Sequence, residues 1–231
     1  MKKCMLVFFL IPMIVIVALF IGCSGKATSN ATQIKSADLE QICCDHDMIL
    51  SYLKENMVFS GTEGDSLVFY EELSQAIDMA SEKFSAYFNI DADVLYANCM
   101  LAYEPFRILD SNVDYVPANF VKYDLSKSNL SSKDQQLISA ITEMYEKGEQ
   151  SEDIYEMLNT YKEYPDLSQP MKGFVAILLH EWSPDMKGPF LTGFCDALGY
   201  AIGAGACPNP IGAFVIGPVV AGSASLIAHH F

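Results

Sequence analysis

Residues 66–87 read SLVFYEELSQAIDMASEKFSAY, and the apolar spacing in this stretch decides the fold class. Phe69, Leu73, Ile77, Ala80, Phe84 and Tyr87 recur every three or four positions, the repeat of one face of an α-helix. Glu71, Glu72, Asp78 and Glu82 fall on the opposite side, as on a solvated face. Alternation with a period of two, the mark of a half-buried strand, is nearly absent here and elsewhere in the chain.

The same period extends outward in both directions. Ser36 offers an N-cap to a helix that sets Leu39, Ile42, Ile49, Leu50, Leu53 and Met57 near one face, with Gly61 and Gly64 marking the loop behind it. On the other side a helix from about Asp91 carries Val94, Leu95, Cys99 and Leu101. It must stop by Glu104, because Pro105 disfavours helical backbone at the residue before it. Residues 105–130, rich in Asp, Asn, Ser and Pro, read as a long ordered loop holding about one helical turn.

Helical patterning then resumes. Ser132-Lys133-Asp134-Gln135 has the spacing of a capping box, Ser132 reaching the N3 amide and Gln135 reaching back. Leu137, Ile138, Ile141, Met144 and Tyr145 continue that helix to Gly148. Ser151, backed by Glu152 and Asp153, caps a helix that buries Ile154, Met157, Leu158 and Tyr161 before Pro165. A last one, Met171 to about Trp182, contains Phe174, Val175, Ile177, Leu178 and Leu179. The expectation is an all-α domain over residues 36–187, a bundle of five to six helices without internal repeats.

Composition changes after Lys187. From Gly188 to Phe231 Asp196 is the only charged side chain, and glycines are interleaved with Ala, Ile, Val and Phe. Cys207-Pro208-Asn209-Pro210 is a turn signal that splits this segment in two. The second, smaller unit is therefore expected to be a Gly/Ala-rich apolar helical hairpin over residues 188–231. Gly199 and Gly203 are one helical turn apart, and Gly212, Gly217 and Gly222 recur every five residues on a broad side. These five are the candidate packing positions, since small residues let helix backbones approach closely. Each glycine costs a helix about 1 kcal/mol against alanine, so some packed environment must compensate. Lipid, a second copy, a recognising partner and the core of the body all qualify. Asp196 opposes deep insertion, because a carboxylate at mid-bilayer costs roughly 2.5–3.5 kcal/mol. The segment resembles the glycine-rich carboxyl-terminal segments of small exported bacterial proteins and, more loosely, the glycine-zipper hairpins of envelope lipoproteins and the apolar ends of bacteriocin-like peptides. That resemblance implies no functional residue.

At the other terminus Lys2 and Lys3 precede an apolar run from Met5 to Ile21, followed by Phe20-Ile21-Gly22-Cys23. A basic start, an apolar stretch and a small residue at the cut mark a secretory signal. The run is at the short edge of what spans a bilayer, contains Pro12, and leads into the polar stretch Ser24 to Asn30, so it reads as a removed signal over residues 1–22 and a flexible tether over 23–35. Gly22-Cys23 resembles the lipobox of bacterial lipoproteins, with Phe20 standing where that family usually has Leu. The resemblance implies cleavage before Cys23, acylation of Cys23 with diacylglycerol and palmitate-type chains, and residence in the cell envelope. The anchor would lie in the outer or plasma membrane, the body facing the periplasm or exterior. Two or more acyl chains anchor stably, each buried CH₂ contributing about 0.8 kcal/mol.

The whole chain has 14 Lys+Arg against 29 Asp+Glu. Loss of Lys2 and Lys3 with the signal leaves 12 against 29, a formal charge of −17. That excess repels phosphate, excludes nucleic acid as a partner and disfavours anionic lipid surfaces. After Cys4 and Cys23, five cysteines remain, Cys43, Cys44, Cys99, Cys195 and Cys207; one bridge from Cys99 to Cys43 or Cys44 and a set of buried free thiols are both compatible with that number.

Chemistry-bearing motifs are scarce. Asp45-His46-Asp47 has metal-ligand residue types, but neighbours on a helix point about 100° apart, so the three cannot chelate one ion together and each needs partners from elsewhere. His180-Glu181 matches the first half of His-Glu-x-x-His, yet Ser183-Pro184 follows in place of a second histidine. His46 and His180 are expected to be capped or half-buried histidines, and His229-His230 a poor site by themselves. No metal site, no catalytic residue and no cofactor is expected. The leading expectation is a membrane-anchored, non-catalytic interaction or structural lipoprotein, held by lipidated Cys23 and making membrane or self contacts through residues 188–231. The alternative is a secreted effector or bacteriocin-like protein acting through its glycine-rich terminus.

Overall fold

The computed structural model describes residues 36–59, 66–103, 125–148, 151–162, 164, 166–182, 190–207 and 212–230. Signal, tether and Cys23, the Gly61–Gly64 loop, residues 104–124 and Pro208-Asn209-Pro210 lie outside them. The described residues are all-α: α1 (Ser36–Asn56), α2 (Ser66–Phe88), α3 (Ala92–Tyr103), a 3₁₀ turn (Leu125–Lys127), α4 (Ser132–Glu146), α5 (Ser151–Lys162), α6 (Gln169–Glu181), α7 (Phe190–Ala206), a π-helical turn (Gly212–Ile216) and α8 (Gly217–His230). Six helices ahead of residue 188 and two after it fit the expected bundle plus hairpin.

Helix starts follow from side chains that satisfy the free amides of the first turn. Asp91 caps α3, its carboxylate accepting from the amides of Asp93 and Val94. At α4 the capping box is one residue earlier than the sequence spacing suggests. Ser131 is the N-cap and Asp134, not Gln135, reaches back, while Gln135 donates its side-chain amide to the Leu130 carbonyl. The carboxylate of Asp134 also accepts the hydroxyl of Ser168, the N-cap of α6, at 2.8 Å. One buried carboxylate thereby ties two helix starts together.

The glycine-rich hairpin is the centre of the molecule. α7 and α8 pack most extensively on each other; α6 and α3 lie against α7, and α1 and α2 against α8. Residues from Gln33 to Phe231 form one compact unit, so position 188 marks a change of composition and not the edge of a separate body. Ala197, Leu198, Tyr200, Ala201, Val219, Val220 and Ala221 are all buried. No helix among the described residues is long and apolar enough to cross a membrane.

The five packing glycines make three kinds of contact. A Cβ on Gly199 would stand 3.0 Å from that of Ala224, and one on Gly203 would stand 2.9 Å from that of Val220, so this pair sets the close crossing of α7 and α8. Gly222 faces the other way, 2.8 Å from Ile49 of α1. Gly217 sits beside the Tyr200 ring, and Gly212 lies where a side chain would run into the Cys207 and Ala204 carbonyls. Around this centre a chain of rings, Tyr145, Phe190, Phe194, Phe174 and Trp182, joins α4, α6 and α7 at centroid spacings of 4.5–5.7 Å.

Candidate functional site

Two adjacent pairs, 134 positions apart, meet where α1 crosses the end of α6. His46 and Asp47 come from the middle of α1, and His180 and Glu181 from the last turn of α6. From α7 the lone charge of the apolar tail, Asp196, reaches the same place. His46 is at the centre and fully buried. Its Nδ1 lies 3.1 Å from Asp47 Oδ1 and 3.5 Å from Glu181 Oε1, and its Nε2 lies 3.8 Å from Asp196 Oδ2. His180 Nε2 holds the other oxygen of Asp47 at 2.9 Å and lies 3.8 Å from Glu181 Oε1.

The expectation that the α1 residues cannot converge holds for Asp45, which turns away and accepts hydrogen bonds from Tyr87 and Gln41. His46 and Asp47 do meet, at 3.1 Å, and their further partners, Glu181, His180 and Asp196, come from other helices. His180-Glu181, set aside for want of a second histidine downstream, finds its histidine in α1 instead.

Burial is graded through the cluster. Asp196 is 0 % exposed and neither carboxylate oxygen has a hydrogen-bond partner; His46 Nε2 likewise has none. Glu181 is 23 % exposed and Asp47 47 %, so the cluster opens to solvent on the Nδ1 side of His46 and closes on the Nε2 side. This gradient shapes the charges. Burial drives Asp196 up to about 7, with the Glu181 charge adding and His46 opposing. Burial alone would push His46 down. The hydrogen bond to Asp47 and the charges of Asp196, Glu181 and Asp47 outweigh it and hold the imidazole above its ordinary value. Asp47 is also raised by its partial burial, but its bonds to His46 and His180 bring it down to about 2. Three carboxylates thus surround one buried imidazole, and among the described residues no lysine or arginine forms an ion pair with any of them.

A groove of about 500 Å³ borders the cluster between α1, α5 and α6. Glu40, Cys44, Tyr155, Asn159 and Lys162 line its walls, and His180 and Cys43 stand at the cluster's end. All five described cysteines are free thiols, which selects that alternative over a bridge from Cys99 to Cys43 or Cys44. Cys43, Cys99, Cys195 and Cys207 are buried and only Cys44 is exposed. Burial, reinforced by the Asp47 and Glu181 carboxylates, pushes Cys43 up to about 12, so it faces the groove as a neutral thiol.

Sequence reasoning named Asp45-His46-Asp47, His180-Glu181 and Asp196 in three separate places and did not join them. The signal that could have done so was Asp196: a single charge in forty apolar residues must either reach water or find a polar partner in the interior. No family model, curated protein or solved structure matches this chain.

Proposed function

We propose that the chain is an exported, lipid-anchored envelope protein, attached through acylated Cys23, whose all-α body presents the groove between α1, α5 and α6 as its binding face. The observation that carries this reading is the use to which the tail is put. Gly199 and Gly203 are spent on the α7–α8 crossing and Gly222 on α1, so the most apolar segment after residue 22 serves as core. Among the described residues no helix is long and apolar enough to cross a membrane, and a two-chain lipid at the lipobox-like Phe20-Ile21-Gly22-Cys23 would suffice for stable attachment. The function proposed is one of binding or support without catalysis.

The test is mass spectrometry of the amino-terminal peptide, with fractionation of cells carrying the wild type or Cys23→Ser. The expected result is a diacylglyceryl-modified peptide beginning at Cys23, and release of the serine variant into the aqueous fraction. Retention of the Cys23→Ser protein in membranes after cleavage at the same place would overturn the reading and return the tail to the role of anchor.

A further inference from the structure

We propose that His46, Asp47 and Glu181 form a binding site for one divalent transition-metal ion of the Zn²⁺ class, with Asp196 as the buried positioning residue behind His46. Nitrogen and carboxylate ligands at about 2.0–2.2 Å from a metal stand about 2.8–3.6 Å from one another at angles between 90° and 109°. The two ligand separations from His46 Nδ1, 3.1 Å to Asp47 and 3.5 Å to Glu181, fall inside that range, and all three ligand atoms lie within 4.8 Å of one another. One imidazole with two carboxylates suits zinc, with manganese or iron(II) next, and excludes the thiolate-seeking ions.

The second observation is independent of the ligands. Asp196 is wholly buried, its oxygens lack any hydrogen bond, and it faces the ring nitrogen of His46 that looks away from the carboxylates. Metal-bound histidines almost always turn the distal N–H to a carboxylate, carbonyl or water, which fixes the tautomer so that the other nitrogen offers its lone pair; Asp196, 3.8 Å from Nε2, stands on the side such a partner takes. With the proton on Nε2, Nδ1, Asp47 and Glu181 become three acceptors facing one point, where a cation would take the place of the Nδ1 proton that otherwise bonds Asp47. His180, held to the second oxygen of Asp47, orients that ligand from the solvent side. The remaining coordination positions open toward solvent past the half-exposed Asp47, next to the groove wall that His180 also lines.

The experiment uses the full chain purified in detergent, stripped with a chelator, dialysed, and titrated with zinc sulfate by calorimetry, with metal content measured by mass spectrometry. One zinc per chain is expected. Asp47→Asn and Glu181→Gln should each weaken binding at least tenfold with an unchanged helical circular-dichroism spectrum. Asp196→Asn should weaken it 10–100-fold, the usual effect of losing such a partner, with the stoichiometry still one at saturating zinc. Should Asp196→Asn fail to fold, the two more exposed positions decide the matter. Cys99→Ala and His229→Ala/His230→Ala should leave binding unchanged. Absence of bound zinc, zinc held equally by Asp47→Asn and Glu181→Gln, or loss confined to the cysteine or terminal histidine variants would each overturn the proposal.

Discussion

Gly173→Ala puts the close packing of the hairpin to its sharpest test. An exposed interior glycine replaced by alanine normally stabilises a helix by about 1 kcal/mol. At Gly173 the new Cβ would lie 1.8 Å from Tyr200 Cε1 and 2.2 Å from Cζ, where ordinary contacts need about 3.5 Å or more. The ring has nowhere to go. Its other edge rests on Gly217 of α8, where a Cβ would stand 2.6 Å from Cε2, and its hydroxyl donates to the Ala213 carbonyl at 2.8 Å inside the core. Moving it forfeits that buried bond, a loss of about 1–3 kcal/mol, on top of about 1–3 kcal/mol for overpacking. Set against the propensity gain of about 1 kcal/mol, the net loss is about 1–5 kcal/mol, or a fall in Tm of roughly 2–20 °C for a chain of this size. Thermal unfolding followed at 222 nm measures it. In a Tyr200→Leu background the colliding atoms are gone, and Gly173→Ala should become neutral or stabilising. A wild-type background that tolerates Gly173→Ala, or an equal loss in both backgrounds, would refute the argument.

Three further outcomes are expected. Gly203→Val should destabilise by at least 2 kcal/mol, because its Cβ meets Val220 at 2.9 Å and the Gly217 Cα at 3.1 Å; urea titration gives the value, and a change below 0.5 kcal/mol would contradict a close crossing. Asp134→Ala should cost about 2–4 kcal/mol, since it removes the N3 half of the α4 capping box and leaves Ser168 without its carboxylate, whereas Ser168→Ala should cost about 1 kcal/mol; equal losses would deny Asp134 its bridging role. The buried thiols give a pH dependence of definite sign. Burial raises Cys43 to about 12 and lifts Cys99 and Cys195 as well, so above pH 9 the folded chain keeps protons that the unfolded chain releases. Stability should hold below about pH 8 and fall as pH rises from 9 toward 12, with Cys99→Ala lessening the fall; a urea midpoint that stays flat to pH 11 would speak against it.

The sequence by itself determined the helices. Their apolar repeats, the start at Asp91 and the stop before Pro105 all lie within a few residues of what they control, because backbone propensity and capping act over one or two turns. The slips are local ones: Ser131 and not Ser132 caps α4, the helix read from Met171 starts at Gln169, and Glu72, read as solvated, is buried. The sequence also showed that the glycines of residues 188–231 require a close-packed setting, since their helical cost must be recovered somewhere. It could not say where, because Gly/Ala faces fit lipid, a second copy or the chain's own interior equally well. Only the tertiary structure decided that α7 and α8 are the core and that α1 and α6 lie against them. The His46 cluster depends wholly on that decision. His46-Asp47 and His180-Glu181 are adjacent pairs of ordinary surface types, and nothing local distinguishes them from capped or solvated residues. They meet because α1 and α6 clasp the same glycine-lined hairpin, which in turn buries Asp196 between them, and the long-range packing of apolar faces leaves no mark in the spacing of the polar residues it brings together.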